Sequence, residues 1–158
     1  MAFQLSHTNT PFSKNKFPLI VLCDGLNSPA NIGGLFRICE AFGVEQILFN
    51  NGYIDVNSSR LKRTARDTHK LVAYTLCDDM KHTLKNLIKK GYEIIALEIS
   101  EISIPSEMIT LDKKAVVLII GNEQFGVSEE ILALTSKHMH IEMYGENSSC
   151  LLYTSDAA

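Results

Sequence analysis

Residues 18–43 read PLIVLCDGLNSPANIGGLFRICEAFG, and the way this stretch folds decides the architecture of the chain. It opens with a continuous apolar run closed by Asp24 and Gly25, the pattern of a strand covered on both faces and followed by a turn. Beyond Pro29 the period changes. Ile32, Leu35, Phe36, Cys39 and Phe42 recur at helical spacing and predict a face turned to a core. Ser28 suits the cap of that helix, Pro29 its first turn and Gly43 a left-handed stop. Arg37 falls off the apolar stripe, on the side shared by Gly33 and Glu40, so its guanidinium calls for an explanation.

The same alternation continues outward. QILF (46–49) predicts a second strand, 57–70 a basic helical or looped segment, LVAYTL (71–76) a third strand, and 78–90 an amphipathic helix stopped by Gly91. YEIIALEI (92–99) and KKAVVLIIG (113–121) predict strands four and five. Ser128 suits the cap of a short helix with Glu129 and Glu130 in its first turn, and HMHIEM (138–143) predicts a sixth strand. Strands alternating with helices predict an α/β domain with a mainly parallel sheet and flanking helices. Residues 1–17, polar and rich in Ser, Asn and Lys, predict an N-terminal arm.

Composition bounds the rest. The 158 residues suit one domain, and 46% hydrophobic with 21% charged residues is the make-up of a globular protein. Fifteen Lys and Arg against eighteen Asp and Glu exclude a generally cationic, histone-like binder but leave room for a local basic face. Cys23, Cys39, Cys77 and Cys150 lie far apart without a CxxC and read as reduced thiols. The N-terminal residues lack a signal pattern and no apolar run reaches membrane length, so a cytoplasmic protein is expected. His138 and His140 alternate along one strand face without a third ligand in view, and no metal site is expected.

In parallel sheets, ligands bind beyond the carboxyl ends of the strands. Three such junctions are polar: DGLNSPANIGG (24–34), GNEQFG (121–126) and MYGENSS (143–149). Each alone has a plain explanation: Asn31 as a cap, Arg37 paired with Glu40, GNEQFG as a glycine-bounded turn. Neither a GxGxxG nor a P-loop is present, which disfavours a Rossmann-like nucleotide-binding domain.

Taken together and in order, Asn31-x-Gly33-x-x-x-Arg37, LIIGNEQFGVSEEIL (118–132) and IEMYGENSS (141–149) closely resemble the three signature motifs of the SpoU branch of the SPOUT RNA methyltransferases, the TrmH-like ribose 2′-O-methyltransferases. The resemblance covers residues 18–149. It implies a trefoil-knotted α/β domain, an exception to the rule that chains do not thread loops, with S-adenosylmethionine as cofactor, tRNA or rRNA as substrate and a homodimeric assembly. It implies catalytic roles for Asn31, Arg37 and Glu123. Cofactor contacts would fall at Leu97, Gly121, Asn122, Gly126, Ile141, Ser149 and Cys150, the last standing where relatives carry an apolar residue, often Leu.

Transfer of a methyl group to a ribose hydroxyl needs that oxygen held close, aimed in line and relieved of its proton. A guanidinium beside the oxygen would stabilise alkoxide charge and could grip the adjacent phosphate, whereas deprotonation of Arg at neutral pH is strongly disfavoured. Charge stabilisation and orientation are therefore the roles expected of Arg37. Glu123 is expected to hold Arg37 or shape the cofactor loop, and Asn31 to fix the first loop or reach the ribose. SSRLKRTARDTHK (58–70) concentrates Arg60, Lys62, Arg63, Arg66 and Lys70, suited either to RNA phosphates or to a solvated helix face.

The third motif departs from its relatives. Ser149 is followed by Cys150 and Leu151 where relatives continue Ser-Leu-Asn into an apolar helix. The expectation is a domain whose C-terminal knot helix is missing, with residues 150–158 a non-native tail and the chain poorly soluble or inactive. A catalytically inactive RNA-binding protein of the same fold is the alternative reading.

Overall fold

The computed structural model describes residues 2–50 and 53–146. They form a parallel sheet of seven strands: β1 (Phe17–Asp24), β2 (Val44–Asn50), β3 (Ala73–Cys77), β4 (Glu93–Leu97), β5 (Ile104–Pro105), β6 (Val116–Ile120) and β7 (Lys137–His140), in the order β3-β2-β1-β6-β4-β7-β5. Four α-helices accompany it: α1 (Pro29–Ala41), α2 (Ser59–Ala65), α3 (Met80–Lys89) and α4 (Glu129–Leu132).

The run in β1 is continuous because both faces are covered. Val21 and Cys23 join a core with Ile32, Phe36 and Cys39 of α1 and Leu61 of α2. Ile20 and Leu22 point the other way, against Met80, Leu84 and Leu87 of α3 and Ile131 of α4. Burial of each large side chain contributes about 1.5–3 kcal/mol. Phe36 also meets the ring of Tyr74 edge-on at 5.6 Å, tying α1 to the sheet edge.

Gly43 takes the expected left-handed φ of +65°. A Cβ there would stand 2.2 Å from the carbonyl oxygen of Asn15. Phe42, however, is 69% exposed and leaves the apolar stripe, because it is the C-cap and no longer helical. The two serines expected to cap helices make no side-chain cap bond. β7 stops at His140, short of the expected 143, and the two-residue β5 was not expected at all. Among the described residues no helix is long and apolar enough to cross a membrane. Ser149, Cys150, the 150–158 tail and the place of a knot helix lie outside the described residues.

The strand order carries the functional consequence. The chain runs from β1 outward through β2 to β3, then returns to the other side of β1, where β6 pairs with it and β4 lies next. The crevice at such a reversal is where parallel sheets bind ligands. The loops leaving β1 and β6 are two of the three polar junctions.

Candidate active site at the β1/β6 strand ends

The loop after β6 is a braced turn. Asn122 and Gly126 exchange backbone hydrogen bonds of 2.9 and 3.0 Å. The Asn122 Oδ1 accepts the N–H groups of Gln124 and Phe125 at 2.8 and 3.0 Å, while its Nδ2 donates to the carbonyl oxygen of Gly25 at 2.7 Å. Side-chain self-bonding of this kind fixes a turn without help from a strand. Gly121 admits no side chain, since a Cβ would meet the Gly126 carbonyl carbon at 2.1 Å. Gly126 has φ +70°, and a Cβ there would meet the Glu98 carboxylate at 2.5 Å.

Glu123 extends from this turn to the start of α1. Its Oε1 accepts the backbone N–H of Ser28 at 3.1 Å and the Nδ2 of Asn31 at 3.2 Å. A carboxylate there offsets the unpaired N–H groups and positive dipole end of the helix. The Glu123 carboxylate thus holds the N–H of the N-cap residue itself, a different bond from the one the Ser28 hydroxyl was expected to accept from the first turn. Two further carboxylates brace the same junction. Asp24, buried, accepts from Asn50 Nδ2 at 2.7 Å and from the N–H of Ser128 at 2.8 Å. Glu98 accepts from the N–H of Val127 at 2.9 Å. In the sequence Asp24 reads only as the end of a strand and Glu98 as part of one, although each stands at the end of an apolar run, where the strand-end rule directs attention.

Asn31 and Glu123 are therefore brought together, with Asn31 itself buried. Arg37 is not part of that contact. It is exposed on α1, about 9 Å further along the axis from Asn31. Its guanidinium forms an ion pair with neither Glu40 nor Glu123 among the described residues. One turn before Arg37 lies Gly33, where a Cβ would stand 2.0 Å from Thr64 Oγ1 and 2.6 Å from the Leu61 carbonyl oxygen of α2. Arg37 thus occupies the side of α1 on which α2 packs, and α2 presents Arg60, Lys62 and Arg63 outward, with Arg66 following at its C-cap. Lys70 lies 2.7 Å from Asp67, and that ammonium holds the Asp67 carboxyl below its ordinary range.

Beyond β4 and β7 an open cleft of about 350 Å³ is lined by Ile99, His140, Ile141, Met143 and Tyr144 among others, near the lower end of the range for small-molecule sites. Of the residues expected to bind cofactor, Ile141 lines it. Leu97 ends β4 beside β6 and β7, and Gly121, Asn122 and Gly126 belong to the braced turn. The cleft, whose lining joins Ile99, Ile141 and Met143 with Glu142 and Glu146, and a glycine cradle without room for a Cβ suit a nucleoside with a cationic sulfonium arm. Both nitrogens of His138 meet hydroxyls, Ser100 and Thr135, at 2.8 Å, and His140 Nδ1 meets Ser103 Oγ at 2.9 Å. Because Ser103 Oγ already donates to the Ser100 carbonyl and accepts its N–H, Nδ1 of His140 is the donor in that contact. Among the described residues no three His, Cys, Asp or Glu gather to hold a metal ion.

Burial, then the neighbouring Cys39 and Glu123, raises the Cys23 thiol well above its usual range. Burial also pushes the Cys39 thiol up to about 12. Neither thiol offers a thiolate at neutral pH.

Residues 18–151 match the SpoU rRNA Methylase family. The tRNA (guanosine(18)-2′-O)-methyltransferase of Aquifex aeolicus is 27% identical over 143 residues, 90% of this chain and 66% of that protein. The enzyme of the same name from Thermus thermophilus is 29% identical over 127 residues, 80% of this chain and 64% of that one. The chain thus spans just under two thirds of the length of these relatives. The crystal structure of the A. aeolicus TrmH/SpoU tRNA modifying enzyme superimposes with a TM-score of 0.73 at 28% identity, over 85% of this chain and 67% of that one. The AdoMet-bound rRNA methyltransferase of Sinorhizobium meliloti shares the fold, with a TM-score of 0.76 at 21% identity over 87% of this chain and 52% of that one. A parallel sheet that reverses beside β1, with the β6 turn closed onto the first helix, here belongs to a member of the SpoU rRNA Methylase family.

Proposed function

We propose that this chain is an S-adenosylmethionine-dependent RNA ribose 2′-O-methyltransferase acting on tRNA or rRNA, as a homodimer in the cytoplasm. The single observation that carries the reading is the contact of Glu123 with Asn31 and Ser28 at the β1/β6 reversal, which joins the first two motifs into one wall. The relatives named as tRNA and rRNA 2′-O-methyltransferases support the same chemistry.

The cofactor supplies an electrophilic methyl group on a sulfonium. Ile141 and the glycine-bounded turn would hold it, with Leu97, Ser149 and Cys150 completing its contacts. Asn31, fixed by Glu123, orients the first loop. Arg37 holds the RNA phosphate beside the target ribose and stabilises charge as the 2′-oxygen loses its proton. Arg60, Lys62, Arg63 and Arg66 add phosphate contacts that fix register without reading sequence.

A second reading, an RNA-binding protein without turnover, is favoured by Cys150-Leu151 standing where relatives carry Leu-Asn. Incubation with methyl-labelled cofactor and total RNA separates the two: label in RNA supports the enzyme, and RNA retention without label supports the binder. Sedimentation of the purified chain tests the dimer.

A further inference from the structure

Phe125 is 80% exposed at the tip of the turn after β6, where an apolar ring facing water has no folding benefit. The turn beneath it is braced on several sides. Its own N–H is held by Asn122 Oδ1 at 3.0 Å, the Asn122–Gly126 pair closes the turn, and Gly121 and Gly126 leave no space for it to shift inward. Glu123, which holds Asn31 and the start of α1, lies two residues earlier, so the Cα atoms of Glu123 and Phe125 are within about 7 Å. A flat ring is thus presented to solvent from a fixed stretch of backbone beside the β1/β6 strand ends.

We propose that Phe125 is a stacking platform for a base of the bound RNA, next to the ribose presented for methylation. This rests on the RNA-methylation reading above and adds to it a contact that recognises a base face rather than a phosphate. Base stacking on an aromatic ring tolerates any sequence, because every base has a π-face. Its chain neighbours Gln124 and Gly126 add no apolar side chain to it. A flat, single-ring contact matches a nucleobase, whereas a protein partner needs a continuous patch of roughly 800 Å² per side. The ring fixes the RNA, and the cations of α1 and α2 supply the attraction that brings it there.

The chain contains no tryptophan, so Phe125→Trp places a unique fluorophore at the site. The experiment titrates this variant with a twelve-residue oligoadenylate and with an abasic oligomer of equal length and charge. Methyl transfer to total RNA is measured in parallel for the wild type, Phe125→Ala and Phe125→Leu. Stacking predicts quenching by oligoadenylate and little by the abasic oligomer. It also predicts a rise in KM for RNA on the order of tenfold in both Phe125→Ala and Phe125→Leu, with cofactor affinity unchanged. Equal quenching by both oligomers, no quenching by either, or Phe125→Leu behaving as wild type overturns the proposal. So does emission that changes with protein concentration alone, which marks the ring as a contact between copies. Absence of methyl transfer by the wild type counts against the proposed function instead, and the quenching titration still decides the role of Phe125.

Discussion

Asn31 donates from Nδ2 to Glu123 Oε1 across 3.2 Å, although 92 positions separate them in the chain. The same oxygen receives the Ser28 N–H, so one carboxylate both anchors the N-cap residue of α1 and joins the first motif to the second. Hydrogen bonds to a charged acceptor contribute about 1.5–3 kcal/mol. Glu123→Ala is therefore expected to lower unfolding free energy by roughly 1–3 kcal/mol, and Glu123→Gln by less, because the amide oxygen still accepts. Urea denaturation of the three proteins measures this, and a Gln variant weaker than the Ala variant would contradict it.

Neighbouring glycines of α1 should respond in opposite directions. Gly33 is pressed against α2, with a Cβ position 2.0 Å from Thr64 Oγ1, while a Cβ on Gly34 meets nothing within 4 Å. Gly33→Ala must push the helices apart and should cost about 1–3 kcal/mol. Gly34→Ala should stabilise by about 1 kcal/mol through helix propensity. Thermal unfolding distinguishes them. Because Gly33 seats the basic helix beside Arg37, its variant should also weaken RNA binding.

How much of this is legible in the sequence depends on range. β1 and α1 are readable because periodicity, cap residues and the Gly43 stop are all local. β7 ends at His140, although Ile141 and Met143 continue its apolar alternation, because alternation reports side-chain faces and not where the strand stops. β5 is invisible to periodicity because Ile104 and Pro105 are too few to show a period. Residue types at the site stand out as polar groups after apolar runs, but their partners do not. Glu123 was expected to hold Arg37 or shape the cofactor loop; it holds Asn31 and Ser28. At Ser28 and Ser128 no hydroxyl caps its helix; the N–H of each serine is instead held by a distant carboxylate, Glu123 of the turn after β6 and Asp24 of β1, which local rules do not foresee.

At the opposite end of the sheet, Glu93 is buried with Lys137 Nζ 2.8 Å away. Burial raises the Glu93 carboxyl. The bond from Lys137 and the N–H groups of Asp112 and Lys113 outweigh this and hold it below its ordinary 4.5. A carboxyl lowered on folding contributes stability above its unfolded value, and that contribution is lost as pH falls through the lowered one. Stability should therefore drop on acidification below about pH 4.5, and Glu93→Gln should flatten that slope. Lys137 is raised above 10.5 by Asp112 and then Glu93, so its contribution persists until pH rises past that value. Unfolding free energies measured from strongly acidic to neutral pH for both proteins check the acid limb.

Arg37 is exposed and is not used to hold the fold together. Arg37→Ala should leave thermal stability and cofactor affinity unchanged within about twofold, and reduce methyl transfer by roughly a hundredfold or more, the scale of losing one oxyanion-type donor. Arg37→Lys should recover only part, since an ammonium lacks the forked geometry that grips a phosphate. Calorimetry with S-adenosylmethionine, set beside transfer rates, separates these roles, and a parallel loss of cofactor binding would contradict the assignment.

The most direct measurement is the chemical position of the transferred methyl group. Total RNA labelled by the wild-type chain from methyl-labelled cofactor, then hydrolysed with alkali, should release the label in alkali-resistant dinucleotides, because a 2′-O-methyl ribose cannot assist cleavage of its own phosphodiester. Label recovered in mononucleotides as a methylated base, or no label in RNA at any protein concentration, would contradict the account.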